Sequence, residues 1–281
     1  MATRSAVINV MARSADRAAR SLKRDFGEVE QLQVSVKGPG DFVSNADTRA
    51  ERVLREELHR ARPGYGLLME ESGAEPGTDG RHRWIVDPLD GTTNFLHGVP
   101  HFAISIGLEQ DGEIVAGVVY DPLKDEMFWA EKGVGAYLND RRLRVSGRRQ
   151  LSQALIATGT PFGERGDRAR FLSELDAVMA ATAGVRRLGA AALDLAYVAA
   201  GRFDGFWEWG LQPWDVAAGL LLVREAGGYV SEVDGGSDLL GGRSTLAANA
   251  HLHAPLMRLL QAAGRAAPRP ARAAPAHPPR G

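Results

Sequence analysis

Asp87 and Asp90 lie in the run Trp84-Ile85-Val86-Asp87-Pro88-Leu89-Asp90-Gly91-Thr92-Thr93. Proline at 88 restricts Asp87 to an extended backbone and Gly91 lets the chain turn sharply, so both carboxylates can face one cavity. Carboxylates sharing a cavity repel and raise each other's pKa unless a cation lies between them. A hard divalent cation such as Mg2+ takes oxygen ligands, a few from carboxylates and the rest from phosphate and water. Further oxygens stand in Glu70-Glu71-Ser72, after Gly66-Leu67-Leu68-Met69, and at Asp215, after Pro213-Trp214. Each group also has an ordinary reading. Asp-Pro-Leu-Asp-Gly is turn composition, Glu70 to Ser72 can be a solvated acidic loop, and Asp47 and Asp215 can be acids in the first turn of a helix. Their joint occurrence argues for a metal site. So does the sequel Gly91-Thr92-Thr93-Asn94-Phe95, a turn feeding a short helix whose free amides would suit phosphate. The Thr92 hydroxyl is placed to orient an attacking water or to cap that helix. The expected chemistry is direct transfer of a phosphoryl group to water, with cations stabilising charge. No G-x-S-x-G elbow or phospho-histidine motif offers a covalent route.

The strands and helices around these groups follow from hydrophobic period. Ala6, Val7, Val10, Met11, Ala18 and Leu22 recur at helical spacing, predicting a helix that ends near Gly27, and a second runs from about Ala46 to Arg62. Between them Lys37-Gly38-Pro39-Gly40-Asp41 is a cluster of breakers and reads as a loop. The apolar runs 66–69 and 84–86 read as buried strands that end in acids. Two alternating runs, Phe102 to Glu109 and Glu113 to Tyr120, flank Asp111-Gly112 and form a hairpin. Strands are expected at 126–130, 155–158 and 205–209, and helices at 168–181, 190–200 and 213–226. Alternation of this kind implies sheets between helix layers, with a lobe at 1–151, a second at 152–264, and a disordered Ala/Pro/Arg tail at 265–281.

Composition narrows the classes. The 281 residues contain no cysteine, which excludes disulfides, zinc-thiolate sites and cysteine nucleophiles and favours a cytoplasmic setting. No apolar run approaches the roughly 20 residues of a membrane span, and Arg4, Arg13 and Asp16 interrupt any signal-peptide core. The net charge of −1 includes four arginines in an acid-free tail, so the body is more acidic than that figure and a poor general nucleic-acid binder. Gly133-Val134-Gly135 lacks the third glycine of a dinucleotide fingerprint. His97 and His101 are separated by Gly98 and Pro100 and read as structural or rim residues.

Lys37, Asp41-Phe42-Val43-Ser44-Asn45-Ala46-Asp47, Glu70-Glu71-Ser72, Trp84 to Phe95, Gly189-Ala190-Ala191 and Trp214-Asp215-Val216-Ala217-Ala218-Gly219 together resemble the inositol monophosphatase family, especially its bacterial members, over nearly the whole chain to about Gly264. The resemblance implies an α/β/α/β/α layered sandwich, usually a homodimer, and an Mg2+-dependent, lithium-sensitive phosphomonoesterase. It implies that Glu70, Asp87 and the Leu89 carbonyl bind one Mg2+, and that Asp87, Asp90 and Asp215 bind a second. Asp47, Thr92 and Glu70 form the implied catalytic set: Asp47 and Thr92 polarise water, while Glu70 also supports a third, weaker ion. Amides of Gly91 and Thr92 would hold phosphate. Ala191, Glu208 and Asp215 would meet the alcohol, with Asp90 also counted among the substrate contacts. Relatives act on inositol phosphates, fructose bisphosphate, nucleotide 3′,5′-bisphosphates or histidinol phosphate. A carboxylate at Glu208 can accept hydrogen bonds from ring hydroxyls and favours the polyol. Some bacterial relatives serve ribosomal RNA transcription, which leaves RNA or the transcription machinery as an alternative partner. The segment before Asp41 is shorter than in animal members, and the Ala/Pro/Arg tail has no counterpart.

Overall fold

The computed structural model describes residues 4–28, 34–38, 41–161, 167–241 and 243–267, with the backbone alone at 34–38 and 41–43. The first part of the chain runs α1 (Ala6–Phe26), β1 (Val34–Gly38), β2 (Asp41–Ser44), α2 (Asn45–Ala61), β3 (Gly66–Met69), β4 (Gly73–Glu75), β5 (His82–Asp90), α3 (Thr92–Leu96), β6 (Ala103–Gln110), β7 (Glu113–Asp121), β8 (Glu126–Glu131), β9 (Gly135–Leu138) and β10 (Arg141–Arg142). A single 3-10 turn at 151–153 precedes β11 (Leu155–Thr158), α4 (Arg168–Ala181), β12 (Gly184–Arg186), α5 (Ala191–Ala199), β13 (Gly205–Trp209), α6 (Pro213–Glu225), β14 (Tyr229–Ser231), β15 (Ser244–Ala248) and α7 (His253–Ala266).

Two sheets carry the architecture. The larger has the order β10-β9-β8-β7-β6-β5-β3-β4, and the smaller β12-β11-β13-β15-β14. Pairing in the larger sheet is antiparallel except where β3 lies parallel to β5. The hairpin between β6 and β7 turns through Asp111 at φ 52° and Gly112 at φ 83°, the two left-handed positions that a two-residue turn of this hand requires.

Strand alternation divides the core into layers. Trp84 and Val86 face α1 and α2, joining Ile8, Met11, Leu22 and Leu54 in one buried cluster. Ile85, between them, faces the opposite way into a cluster with α5 and α6, which also receives Phe206 and Ala247 from the smaller sheet. Trp207 and Leu246 point outward from that sheet to Phe171 of α4 and Leu256 of α7. Helix, sheet, helix, sheet and helix therefore stack in that order. The expected α/β/α/β/α sandwich is the observed one.

Two local expectations change. The loop expected at 37–41 falls partly on strand: β1 runs to Gly38, which pairs with Asp41 at the start of β2, while residues 39 and 40 lie outside those described. Asp87-Pro88-Leu89-Asp90 is not a surface turn but the last part of β5, which continues to Asp90 with a register break between Asp87 and Asp90 against β6. Proline has no N–H for a ladder, and a bulge is where a strand tolerates one. The expected tail begins inside α7, which runs to Ala266; residues 268–281 and the Lys37 side chain lie outside those described.

Candidate active site

The bulge at the end of β5 makes the site. Pairing resumes with Asp90 opposite Ala103, and Asp87 and Asp90 are only 2% and 8% exposed. Asp87 Oδ1 accepts the Leu89 amide at 2.9 Å across the bulge. Burial pushes the Asp87 carboxyl well above the usual carboxylate range, and Glu70, Asp90 and Asp215 push it further in the same direction. Glu70 follows β3, which is parallel to β5, so the ends of two adjacent strands deliver acids to one place. Asp215 arrives from the start of α6. There its Oδ2 accepts the Gln212 amide at 2.8 Å, and the Trp214 carbonyl accepts the Ser105 hydroxyl of β6 at 3.2 Å.

Asp90 is treated differently from Asp87. Its Oδ2 accepts the Ala192 amide at 2.8 Å, and the amides of Ala191 and Leu193 also favour its charged form. The first-turn amides of α5, which have no acceptor inside the helix, therefore converge on this carboxylate. Burial still dominates, and with Glu70 it holds Asp90 up at about 7. Ala191 thus touches the acid cluster through its backbone.

Gly91 turns the chain out of β5 at φ 94°, and a Cβ there would lie 3.1 Å from the His101 carbonyl. Only glycine accepts both the left-handed backbone and that approach. Gly91 is itself the N-cap of α3 and Thr92 its first helical residue, so the Thr92 side chain is not used as the cap. Its hydroxyl instead lies 2.9 Å from Asp47 Oδ1 and 3.0 Å from the Leu89 carbonyl. Asp47, wholly buried in the first turn of α2, accepts both the Ser44 amide at 2.8 Å and the Ser44 hydroxyl at 2.6 Å on Oδ2. Burial raises its pKa, opposed by the Ser44 and Thr92 hydrogen bonds. The helix-start reading of Asp47 is correct as geometry, and its second oxygen remains directed at Thr92.

Glu208, on β13, faces the same cluster. Burial holds it up at about 8, with Asp215 and Asp90 adding to the shift and Arg187 opposing it. The Arg187 Nε and an Nη donate to the Thr160 hydroxyl at 3.2 and 3.0 Å beside this end of the site. The structure thus gathers Asp47, Glu70, Asp87, Leu89, Asp90, Gly91, Thr92, Ala191, Glu208 and Asp215 around the end of β5.

Sequence reasoning did not single out four groups that brace this arrangement. Glu51, one turn after Asp47 and 6% exposed, accepts the Glu71 amide at 2.9 Å and so ties α2 to the loop bearing Glu70. Asn94 Nδ2 donates to the His101 and Leu188 carbonyls, both at 2.8 Å, joining α3 to the approach of α5. Asp194, 1% exposed, leaves Oδ1 without a partner and is pushed well upward by burial, then by Glu208 and Asp90. Ser44 seats Asp47. An acid four residues after Asp47 was the one legible signal, since that spacing shares a helix face.

Whether a cation fits is answered by the donor set. Every charged neighbour that shifts Asp87 is an acid, which is the environment a divalent cation relieves and a lone proton relieves incompletely. Among the described residues, no three His, Asp or Glu side chains are already drawn together as a metal cage. A pair of ions a few ångströms apart shares its ligands and fills its shell from carbonyl, water and phosphate, so the acids need not meet at one point.

A layered α/β/α/β/α fold with clustered acids at the end of a central strand, a seated carboxylate–threonine pair and a glycine turn into a short helix has the chemistry of a metal-assisted phosphate-ester hydrolase. The inositol monophosphatase family model matches residues 3–265, and the chain belongs to that family. It is 61% identical to an inositol-1-monophosphatase of Mesorhizobium japonicum over 92% of the chain and 97% of that protein. It is 43% identical to the Nus factor SuhB of Pseudomonas aeruginosa over 91% of the chain and 96% of that protein. Among solved structures, the extragenic suppressor protein suhB of Bartonella henselae superposes with a TM-score of 0.89 at 57% identity, covering 92% of the chain and 99% of that structure.

Proposed function

We propose that the protein is a magnesium-dependent phosphomonoesterase that hydrolyses an inositol monophosphate to inositol and phosphate. The observation that carries the reading is Asp87, buried beside three other acids at the end of β5. Family membership supports the reaction class, and the inositol-1-monophosphatase relative supports the substrate.

In this reading Glu70, Asp87 and the Leu89 carbonyl would hold one magnesium ion, Asp87, Asp90 and Asp215 would hold a second, and Glu70 would support a weaker third. Bound there, magnesium would supply positive charge for the attacking water and the departing alkoxide. The chain does the rest. Thr92 donates its proton to Asp47 Oδ1 and keeps a lone pair to accept from water, so the hydroxyl orients the nucleophile and Asp47 fixes the hydroxyl. Ser44 occupies Asp47 Oδ2 and leaves no freedom to turn away. The Gly91 and Thr92 amides hold phosphate oxygens. Glu208, with Ala191, Asp90 and Asp215, receives the alcohol, whose hydroxyls Glu208 recognises once the charge of its acidic neighbours is offset. Lithium inhibition, a homodimer and a cytoplasmic location belong to the same proposal; the described residues contain no helix long and apolar enough to cross a membrane.

Initial rates in magnesium on inositol 1-phosphate, fructose 1,6-bisphosphate, adenosine 3′,5′-bisphosphate and histidinol phosphate test the assignment. The inositol ester should be fastest by kcat/KM, and preference for a bisphosphate overturns the substrate. A second reading, regulatory contact with the transcription machinery or RNA, is favoured by the resemblance to the Pseudomonas aeruginosa Nus factor. Capture of transcription proteins by the full chain but not by one lacking residues 265–281, unchanged in Asp87→Asn, would separate that role from catalysis.

A further inference from the structure

On β13, Trp207 and Trp209 lie on one face and Glu208, between them, on the other. Both indoles are tied to one carboxylate oxygen. Glu174 Oε2 accepts Trp207 Nε1 at 3.2 Å and Trp209 Nε1 at 2.8 Å. Its Oε1 accepts Arg170 Nε at 2.8 Å, and Arg170 continues to Asp234 at 2.9 Å while its guanidinium lies 3.9 Å from the centre of the Trp209 ring. Glu174 has no exposed surface. Its carboxylate therefore clamps α4 to β13 at the two residues flanking Glu208.

On the inner face the fit is equally close. A Cβ at Gly159 would overlap the Glu208 carboxylate, so Glu208 rests directly on the backbone just beyond β11. A small slide or roll of β13 would drive this carboxylate into Gly159 or draw it away from the site. One face of the strand holds the clamp, and the opposite face receives the consequence.

We propose that Glu174, outside the active site, is a positioning residue for substrate selection: through Trp207 and Trp209 it sets the pitch of β13 and thereby the place of Glu208 against the alcohol. The inference rests on the reading that Glu208 meets the alcohol. Arg170 and Asp234 complete the clamp by fixing the Glu174 oxygens, and none of these residues touches substrate.

A merely structural role would lower stability and depress every substrate alike, whereas a positioning role discriminates between esters. The test compares inositol 1-phosphate with p-nitrophenyl phosphate, which has no ring hydroxyls, in the full-length magnesium enzyme. Four variants carry it: Glu174→Leu, which removes the acceptor; Trp207→Phe/Trp209→Phe, which removes both donors and leaves Glu174 paired with Arg170; Glu208→Gln; and Glu174→Gln. The double variant remains informative if Glu174→Leu does not fold. Losing these hydrogen bonds should raise KM for the inositol ester roughly tenfold while kcat/KM for p-nitrophenyl phosphate stays within about twofold. Glu174→Gln, which retains an acceptor oxygen for the indoles, should recover most of the loss. Equal losses on both esters, or an unchanged KM for the inositol ester in the double variant, overturn the inference if Glu208→Gln discriminates between the esters. If Glu208→Gln itself treats them alike, the reading of the alcohol site fails and the positioning role falls with it.

Discussion

Glu174 and Asp87 are both buried carboxylates, and the chain deals with them in opposite ways. Glu174 is surrounded by donors, an arginine and two indoles, which oppose the burial that raises its carboxyl, so its charge is largely compensated within the protein. Asp87 accepts the Leu89 amide and otherwise looks toward Glu70, Asp90 and Asp215. The first arrangement is a joint between α4 and β13. The second is a buried acid set among acids, an environment that the proposed cations would relieve. A buried acid by itself therefore tells little about function, and the sign of its neighbours tells most of it.

The largest effect that would sharpen this contrast is on catalysis. Asp87→Asn should lower kcat more than about a hundredfold, since even residues that only support a metal ligand cost ten- to a hundredfold. In the metal-free protein at neutral pH the same substitution should raise the melting temperature, because it removes an acid whose charge is opposed by burial and by Glu70, Asp90 and Asp215. A fully active Asp87→Asn enzyme would break the comparison at its functional end. Thr92→Val should lower kcat by about a hundredfold through loss of water orientation, with Thr92→Ser close to wild type, as measured by steady-state rates in saturating magnesium. At the structural end, Glu174→Ala should cost about 2–3 kcal/mol in denaturant unfolding, since it leaves the buried Trp207 indole, the half-buried Trp209 indole and Arg170 without this acceptor. A neutral result would show that the joint is not what holds α4 in place.

A separate effect is a pH dependence. Asp90 is raised from 3.8 to about 7 and Glu208 from 4.5 to about 8, so the folded state binds these protons more tightly than the unfolded chain. For acids with raised pKa, the stabilising contribution is complete below the unfolded value and is lost as pH climbs through the folded one. The melting temperature of metal-free protein should accordingly fall between about pH 4 and 8, and saturating magnesium should flatten the slope. A metal-free protein that gains stability across that window would contradict the unanswered-charge account.

The same contrast explains what the sequence disclosed. The apolar run at 84–86 and the alternating runs 102–109 and 113–120, together with Asp111-Gly112, specify strands and a hairpin because period and turn chemistry are local. The acids at 70, 87, 90 and 215 were legible as a set because they follow strands or open a helix. Asp87-Pro88-Leu89-Asp90-Gly91 misled about local shape, since proline and glycine mark a bulged strand end as readily as a turn, and only pairing with β6 decides between them. Short strands such as β12 and β14 owe their form to neighbours rather than to their own residues. The clamp at Glu174 was invisible for the same reason: an acid within a helical pattern reads as solvated until the fold brings two tryptophans from β13 against it.

The central claim is that the acids around Asp87 are an incomplete charge arrangement finished by magnesium. Thermal unfolding of the metal-stripped full-length protein at neutral pH, with and without magnesium chloride, in wild type and Asp87→Asn, tests it most directly. Magnesium should raise the wild-type melting temperature by several degrees or more and leave Asp87→Asn nearly unmoved. A wild-type protein indifferent to magnesium, or an equal rise in both proteins, would contradict it.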